Sequence, residues 1–103
     1  MKEICRLDDT ELASRGWRAF QLTNGRPAII IKSGDELRAF VNRCPHAAGE
    51  VYPATNEAGA ERLKCNQHGS LFTVEGMGLT GPATGMSLRA LQLTLQDGVI
   101  YYQ

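Results

Sequence analysis

Two short motifs, each joining a cysteine to a histidine, most strongly constrain how this chain can fold. Cys44 and His46 form a C-x-H pair, Cys65 and His68 form a C-x-x-H pair, and eighteen residues separate the pairs. Both histidines of the protein and two of its three cysteines are used. Two mixed pairs on neighbouring loops suit an asymmetric two-metal cluster, in which one iron takes both thiolates and the other takes both imidazoles. The sequence therefore predicts two loops that hold one redox cofactor.

Zinc is the competing occupant of these four side chains, because two thiolates and two imidazoles also make a tetrahedral zinc site. Zinc fingers, however, usually place cysteine with cysteine and histidine with histidine. Here each pair is mixed. The spacing favours the two-iron cluster, and a zinc-stabilised binding module without a redox role is the alternative.

Length and charge restrict the remaining function classes. With 103 residues the chain is expected to form one domain, residues 1–103. Eleven basic and eleven acidic residues cancel without forming a basic run, so nucleic acid is not an expected partner. The longest apolar stretch, residues 28–31, is too short to span a bilayer, and the N-terminus has no signal-peptide pattern. We expect a cytoplasmic monomer that does not enter a membrane.

Three cysteines cannot form a disulfide framework, and this usage fits a reducing compartment. The cluster pattern is complete without Cys5. We expect Cys5 to be a small, partly buried side chain in the first strand.

The rest of the chain predicts short strands separated by turns, and its class is all-β. A helical turn is predicted at residues 8–12. Leucines alternate with polar residues from Leu91 to Leu95, as in a half-buried strand, with a bulge expected near Leu91. Asp97-Gly98 predicts a tight hairpin turn into residues 99–102. The other candidate strands are residues 2–7, 17–22, 27–32, 37–42, 61–65 and 70–74.

Glycine is concentrated between Gly69 and Gly85, with Pro82 inside that stretch. Such a composition is typical of surface turns. It also suits a loop whose backbone must lie close against a cofactor, since glycine permits close approach. Because the stretch follows the C-x-x-H pair, we favour the second interpretation.

These motifs together resemble the Rieske ferredoxin family, the small electron carriers of bacterial oxygenase systems. The resemblance implies an all-β Rieske-like iron–sulfur fold of antiparallel sheets, with a small cluster-binding subdomain, approximately residues 43–85, inserted in a basal β domain. It also implies one [2Fe–2S] cluster, with Cys44 and Cys65 on the buried iron and His46 and His68 on the outer iron. The matching segments are residues 42–46, 65–72, 81–85, 91–95 and 97–101.

The implied function is one-electron transfer from a flavin-containing reductase to a terminal oxygenase. A catalytic site is not expected, since both histidines are committed and none remains for a mononuclear oxygen-activating iron. The alternative is a small Rieske subunit of a nitrite-reductase-like enzyme.

The sequence departs from the family pattern at three places. The gap between the pairs is slightly long, and residues 58–61 are predicted to form a lengthened hairpin there. Gly49 follows His46 by three residues instead of two, which leaves the shape of the first loop open. Asn66 and Gln67 stand where proline commonly follows the cysteine.

The resemblance also indicates which residues tune the cluster and meet partners. Ser70 and Phe72 match positions at which high-potential family members carry a hydrogen-bonding Ser and Tyr. Because Phe72 cannot donate, we expect a potential in the lower half of the family range, raised a little by Ser70. Partner docking is expected at Pro45, Ala47, Ala48, Gln67, Gly69, Pro82 and Ala83.

Overall fold

The computed structural model describes all 103 residues, and its regular structure is β-strand apart from one short α-helix and one 3₁₀ turn. Its strands pair antiparallel in three sheets. The predicted fold class is therefore confirmed. In chain order the elements are β1 (Lys2–Arg6), α1 (Thr10–Arg15), β2 (Trp17–Gln21), β3 (Pro27–Ser33), β4 (Glu36–Val41), β5 (Val51–Thr55), β6 (Glu61–Cys65), β7 (Leu71–Phe72), a 3₁₀ turn (Gly81–Ala83), β8 (Ala90–Leu91), β9 (Leu93–Gln96) and β10 (Val99–Tyr102).

The chain forms two compact units. The first unit contains Met1–Val41 and Ala90–Gln103, and the second contains Asn42–Arg89. The first unit holds two sheets, with strand orders β1-β10-β9 and β2-β3-β4-β8. The second unit holds one sheet, of order β5-β6-β7.

The first unit is built around β3, whose residues Ala28 to Ile31 are all buried. A short continuous apolar run is typical of a strand that is covered on both faces. Strand β3 also has a hydrogen-bonded neighbour along each edge, β2 and β4. Cys5 of β1 is buried in a core cluster with Leu12, Ile30 and Ile100, as well as Ala39. Its predicted place in the first strand is confirmed, and its thiol is free.

The helix is longer than predicted and begins later. The side chain of Asp9 accepts hydrogen bonds from the backbone N–H groups of Glu11 and Leu12, which caps the first turn. Gly16 then ends the helix with a left-handed φ of 82°. The predicted turn at residues 8–12 is therefore corrected to Thr10–Arg15, because Asp9 is the cap of the helix and lies outside it.

The predicted turn at Asp97-Gly98 is confirmed, whereas the bulge near Leu91 is wrong. Asp97 and Gly98 both have positive φ, 53° and 77°, as a two-residue hairpin turn with right-handed strand twist requires. At Gln92 the chain leaves one sheet and enters another, since β8 pairs with β4 whereas β9 pairs with β10. Leu91 and Leu93 therefore belong to different sheets.

The second unit begins with a hairpin of β5 and β6, whose turn spans Asn56 to Ala60. A hairpin predicted at residues 58–61 is therefore present, with its turn two residues earlier because Glu61 already belongs to β6. Strand β5 was not predicted, because Pro53 is unfavourable inside a strand, and the sheet accommodates it by placing β5 at its edge. Strand β7 is shorter than predicted, because Thr73 already starts a turn closed by the Gly76 N–H.

Candidate metal centre

Cys44 and His46 lie between β4 and β5, Cys65 ends β6, and His68 lies between β6 and β7. Residues 43–50, called here the first loop, connect β4 to β5, and residues 66–69, the second loop, connect β6 to β7. The first loop is closed by a hydrogen bond from the Cys44 N–H to the Gly49 carbonyl oxygen, 2.8 Å. The second is closed by the Gly69 N–H, which donates to the Cys65 carbonyl oxygen over 3.1 Å. Short loops closed by backbone hydrogen bonds hold their side chains in fixed directions.

The structure brings all four predicted side chains together. Cys44 Sγ lies 3.9 Å from Nδ1 of His46, and the two thiols hydrogen bond to each other. The rings of His46 and His68 lie edge to face, with centroids 4.6 Å apart and an interplanar angle of 83°. Thiol thus neighbours thiol and imidazole neighbours imidazole, although each sequence motif contains one of each.

The two kinds of donor differ in burial. Each thiol-bearing residue is only 1% exposed. His46 is half-buried, and His68 is exposed. A group held between these pairs would have a protein-covered thiolate side and a solvent-facing imidazole side.

Backbone N–H groups point at both sulfur atoms and act on their ionisation. Burial raises the pKa of the Cys44 thiol, although the N–H groups of His46 and Ala47 oppose the shift. Burial acts in the same direction on Cys65, but the N–H groups of Gln67 and His68 outweigh it, and the pKa of this thiol falls below its ordinary value. Because these N–H groups favour the anion, they favour the thiolate form that binds metals.

Gly49 shows how tightly the first loop lies against the second. A Cβ atom at this position would lie 2.7 Å from Cγ of Gln67 and 2.8 Å from Sγ of Cys65. Both distances are shorter than carbon makes with non-bonded atoms, so only glycine fits without displacement. The glycine three residues after His46 therefore lets the loops close over the sulfur atoms.

The donor chemistry fits a two-iron cluster. Two thiols and two imidazoles separate into like pairs, which is the ligand set of a Rieske [2Fe–2S] centre with two protein donors on each iron. The structure contains no group of three His, Cys, Asp or Glu side chains placed to hold a single metal ion. A binuclear cluster does not require such a group, because its irons also share bridging sulfides.

The glycine-rich segment folds back on the residue that follows the second loop. A Cβ at Gly81 would lie 2.6 Å from Oγ of Ser70, and one at Gly78 would lie 2.0 Å from the Ala83 carbonyl oxygen. The Ala83 N–H donates to Oγ of the fully buried Ser70, 3.3 Å. The glycine backbone closely approaches Ser70 and Ala83. Its close approach to a cofactor stays a prediction. Ala83 is itself fully buried, so its predicted place on a docking surface is wrong.

Asn42 and Asn66 contribute contacts that the sequence analysis did not identify. The side chain of Asn42 pairs with the backbone of Val51, and Asn66 pairs with the backbone of Glu50. The only sequence signal was the position of each asparagine next to a Cys–His motif, since asparagine readily bonds to backbone groups.

The chain matches the protein family described as Rieske [2Fe-2S] domain over residues 2–94. It belongs to the Rieske family. Its cofactor is therefore one [2Fe–2S] cluster, as the sequence predicted. Such a cluster takes up and returns a single electron.

One similar protein with an assigned function is the cytidine monophosphate-N-acetylneuraminic acid hydroxylase of Xenopus laevis. It is 32% identical over 59 residues, which make up 57% of this chain and 10% of the hydroxylase. The chain spans about a tenth of the length of the curated relatives it matches. The similarity therefore concerns one segment of a much larger protein.

Two solved structures share the fold along nearly their whole length. The ferredoxin of carbazole 1,9a-dioxygenase from Nocardioides aromaticivorans IC177 has a TM-score of 0.71 and 22% identity, and the match covers 99% of this chain and 97% of that one. The plasma membrane Rieske protein PetC3 from Synechocystis PCC 6803 has a TM-score of 0.77 and 18% identity, covering 100% and 99%. Both similarities establish the Rieske fold.

No helix of the structure has the length and apolar character needed to cross a membrane.

Proposed function

We propose that this protein carries single electrons from a flavin-containing reductase to a terminal oxygenase. One observation carries the proposal: two buried thiols and two outward-lying imidazoles converge in a chain of the Rieske family. In such an arrangement the outer donors offer an exit for the electron, while the protein covers the thiolate side.

Cys44 and Cys65 would hold one iron of the cluster, and His46 and His68 would hold the other. When bound, the cluster supplies one-electron chemistry at a potential of about −150 to +300 mV. The N–H groups of Gln67 and His68 donate to Cys65, and they stabilise negative charge on its sulfur. Because reduction adds one negative charge, these donors raise the potential.

The residues that remain support a carrier and not a complete oxygenase. With His46 and His68 assigned to the cluster, the chain has no further histidine for a mononuclear iron centre of two histidines and one carboxylate. The letters G-x-G-x-x-G occur at residues 76–81, but they lie between β7 and the 3₁₀ turn and no α-helix follows them, so the strand–turn–helix context of a dinucleotide site is missing. Electron donor and acceptor would therefore be separate sites, as the name of the carbazole dioxygenase ferredoxin implies for that protein. We place the protein in the cytoplasm as a monomer, with residues 43–85 of the single domain forming the cluster-binding part.

The proposed docking surface for the acceptor surrounds the exposed ring of His68. Weak electron-transfer complexes use small interfaces, which permit rapid release. Five predicted docking residues are exposed, and Ala47 is half-buried. The exposed ones are Pro45, Ala48, Gln67, Gly69 and Pro82.

A second candidate role is suggested by the similarity to the Xenopus hydroxylase, in which the matched segment is a tenth of the protein. In this alternative the domain delivers electrons within one larger enzyme. Reduction kinetics separate the two roles, since a carrier must react with a reductase and an oxygenase as separate proteins.

The first experiment measures iron, acid-labile sulfide and zinc in the purified protein, with an EPR spectrum after reduction. Two irons and two sulfides per chain, with the low average g-value of an imidazole-ligated cluster, are expected. Substitutions Cys65→Ser and His68→Ala should abolish that signal. The control Cys5→Ser changes the free cysteine of the first unit and should keep it. A purified protein that contains zinc and no acid-labile sulfide would refute the proposed electron-carrier function.

The role itself is tested by mixing the protein with a flavin reductase, NADH and an oxygenase. Turnover that requires all three proteins is expected. Turnover that is unchanged when this protein is omitted would contradict the proposal.

A further inference from the structure

Asn66 joins the second loop to the first by two hydrogen bonds. Its backbone N–H donates to the Glu50 carbonyl oxygen over 2.8 Å, and its side-chain oxygen accepts from the Glu50 N–H over 3.0 Å. The backbone N–H and carbonyl oxygen of Glu50 are thus both hydrogen-bonded to Asn66, sixteen positions later in the chain. The two hydrogen bonds resemble those of a hydrogen-bonded residue pair in an antiparallel sheet, although neither Asn66 nor Glu50 belongs to a strand.

The neighbouring residue Val51 is held in the same manner. The amide of the buried Asn42 donates to the Val51 carbonyl oxygen over 3.0 Å, and the Val51 N–H donates to Oδ1 of Asn42 over 2.6 Å. Gly49 accepts from the Cys44 N–H, while Glu50 and Val51 each exchange two hydrogen bonds with an asparagine, Asn66 and Asn42 respectively. This segment fixes the two loops relative to each other.

Asn66 differs from Asn42 in its surroundings. Asn42 is buried, and it joins the two ends of the first loop. Asn66 is exposed, directly follows Cys65, and alone of the two connects the second loop to the first. A hydrogen bond of an exposed residue contributes little to overall stability, so its main effect should be local. The residues that follow it, Gln67 and His68, supply the N–H groups that donate to the Cys65 sulfur.

We propose that Asn66 is a positioning residue, whose side chain locks the second loop against Glu50 and thereby sets how firmly the cluster is held and where its potential lies. The inference rests on the proposed ligand set. Without the side-chain oxygen, the second loop loses its attachment to the Glu50 N–H. The N–H groups of Gln67 and His68 then keep a less constant direction toward the sulfur.

The test compares Asn66→Ala with Asn56→Ala in the cluster-loaded protein. Asn56 serves as the control, because its side-chain oxygen likewise accepts from backbone N–H groups, those of Ala58 and Ala60, but within the turn between β5 and β6. A third variant, Asn66→Asp, keeps an oxygen acceptor and the backbone N–H. Release of iron to excess bathophenanthroline disulfonate is followed by absorbance, and the midpoint potential is measured by redox titration.

Asn66→Ala is expected to release iron about fivefold faster than the wild-type protein, the effect of losing roughly one hydrogen bond. Its midpoint potential should be lower, because N–H donors to the sulfur stabilise the reduced cluster. Asn56→Ala should match the wild type in both measurements, and Asn66→Asp should match it in the release rate of the oxidised protein.

Equal release rates and potentials in Asn66→Ala and Asn56→Ala would overturn the proposal. If Asn66→Ala does not assemble a cluster, Asn66→Asp decides: normal retention supports the positioning role, and failure to retain the cluster overturns it. Failure of the proposed ligand set would be recognised by a different result: Cys65→Ser would keep the complete cluster, independently of the result for the Asn66 variants.

Discussion

Ser70 shows how a backbone N–H group can fix the position of a single hydroxyl group. The residue is fully buried, and its Oγ accepts a hydrogen bond from the Ala83 N–H. Gly81 leaves room for this hydroxyl, since a Cβ at position 81 would lie only 2.6 Å from Oγ. The hydroxyl still has its own proton to donate. It lies two residues after His68, within reach of a bound cluster in the family resemblance.

Replacing Ser70 by alanine should lower the midpoint potential of the cluster. The hydroxyl proton stabilises the added electron if it points at a sulfur atom. The variant should also unfold more easily, by about 1–3 kcal/mol, because the buried Ala83 N–H loses its acceptor. Redox titration and thermal unfolding measure the two effects. Ser87→Ala, at an exposed serine of the same unit, is the control. An unchanged potential in Ser70→Ala would remove this hydroxyl from the tuning of the cluster.

Replacing Gly49 by alanine should reduce the iron content of the protein. The added methyl group would lie 2.8 Å from the Cys65 sulfur and 2.7 Å from Gln67, so the two loops must separate. Overpacking of this kind typically costs about 1–3 kcal/mol. Gly25→Ala is the control, since its Cβ would meet no atom although its φ is positive. Full iron content and an unchanged EPR signal in Gly49→Ala would show that the loops tolerate a wider spacing.

At the scale of elements, the sequence predicted those features that depend on residues close together in the chain. The run at residues 28–31 and the Asp97-Gly98 turn are local signals, and both were confirmed. Strand β5 was missed, because Pro53 disfavours a strand and only the edge position of β5 allows it. A bulge was predicted near Leu91, whereas the chain changes sheets at Gln92, because this change depends on pairing with the distant strands β4 and β10.

The cap of α1 gives a prediction about pH. The N–H of Leu12 lowers the pKa of the Asp9 carboxyl below its ordinary value of 3.8, with further help from Arg18 and the Glu11 N–H. A lowered pKa in the folded state stabilises the protein above the unfolded pKa, and this stabilisation is lost as pH falls through the folded value. Asp9→Asn keeps a capping oxygen but cannot titrate.

The unfolding temperatures of the wild type and Asp9→Asn should therefore converge as the pH falls from 7 to below the ordinary carboxyl pKa. At pH 7 the wild type should be the more stable, because its carboxylate also pairs with Arg18. Loss of the cluster in acid affects both proteins, so the difference between them isolates Asp9. A difference that stays constant over this pH range would contradict the assignment of the shift to the cap.

At the scale of the whole molecule, the sequence identified the four candidate ligands but not the contacts that hold them together. Cys44, His46, Cys65 and His68 were found from spacing and donor chemistry, and the structure brings them together. The contact of Asn66 with Glu50 crosses sixteen residues, and Ser70 meets Ala83 across thirteen. Pairings between distant loops depend on where the strands place them, and local propensity contains no such information.

The docking surface is a property of the whole protein, and it gives the last prediction. With equal numbers of acidic and basic residues, the chain has no net charge to steer a partner over long distances, so contacts near His68 should dominate recognition. A glutamate at the exposed Ala48 would have to be desolvated when the oxygenase docks. The second-order rate of electron transfer to the oxygenase should fall by about tenfold, equivalent to about 1.4 kcal/mol.

Stopped-flow oxidation of the reduced protein measures this rate. Ala58→Glu adds the same charge at an exposed alanine in the turn between β5 and β6, and it should transfer electrons at the wild-type rate. Oxidation by ferricyanide and the midpoint potential are measured in both variants, because a charge near the cluster also changes the driving force. A slower reaction with the oxygenase at an unchanged driving force locates docking at the first loop. Equal rates for Ala48→Glu and Ala58→Glu would place the docking surface elsewhere on the protein.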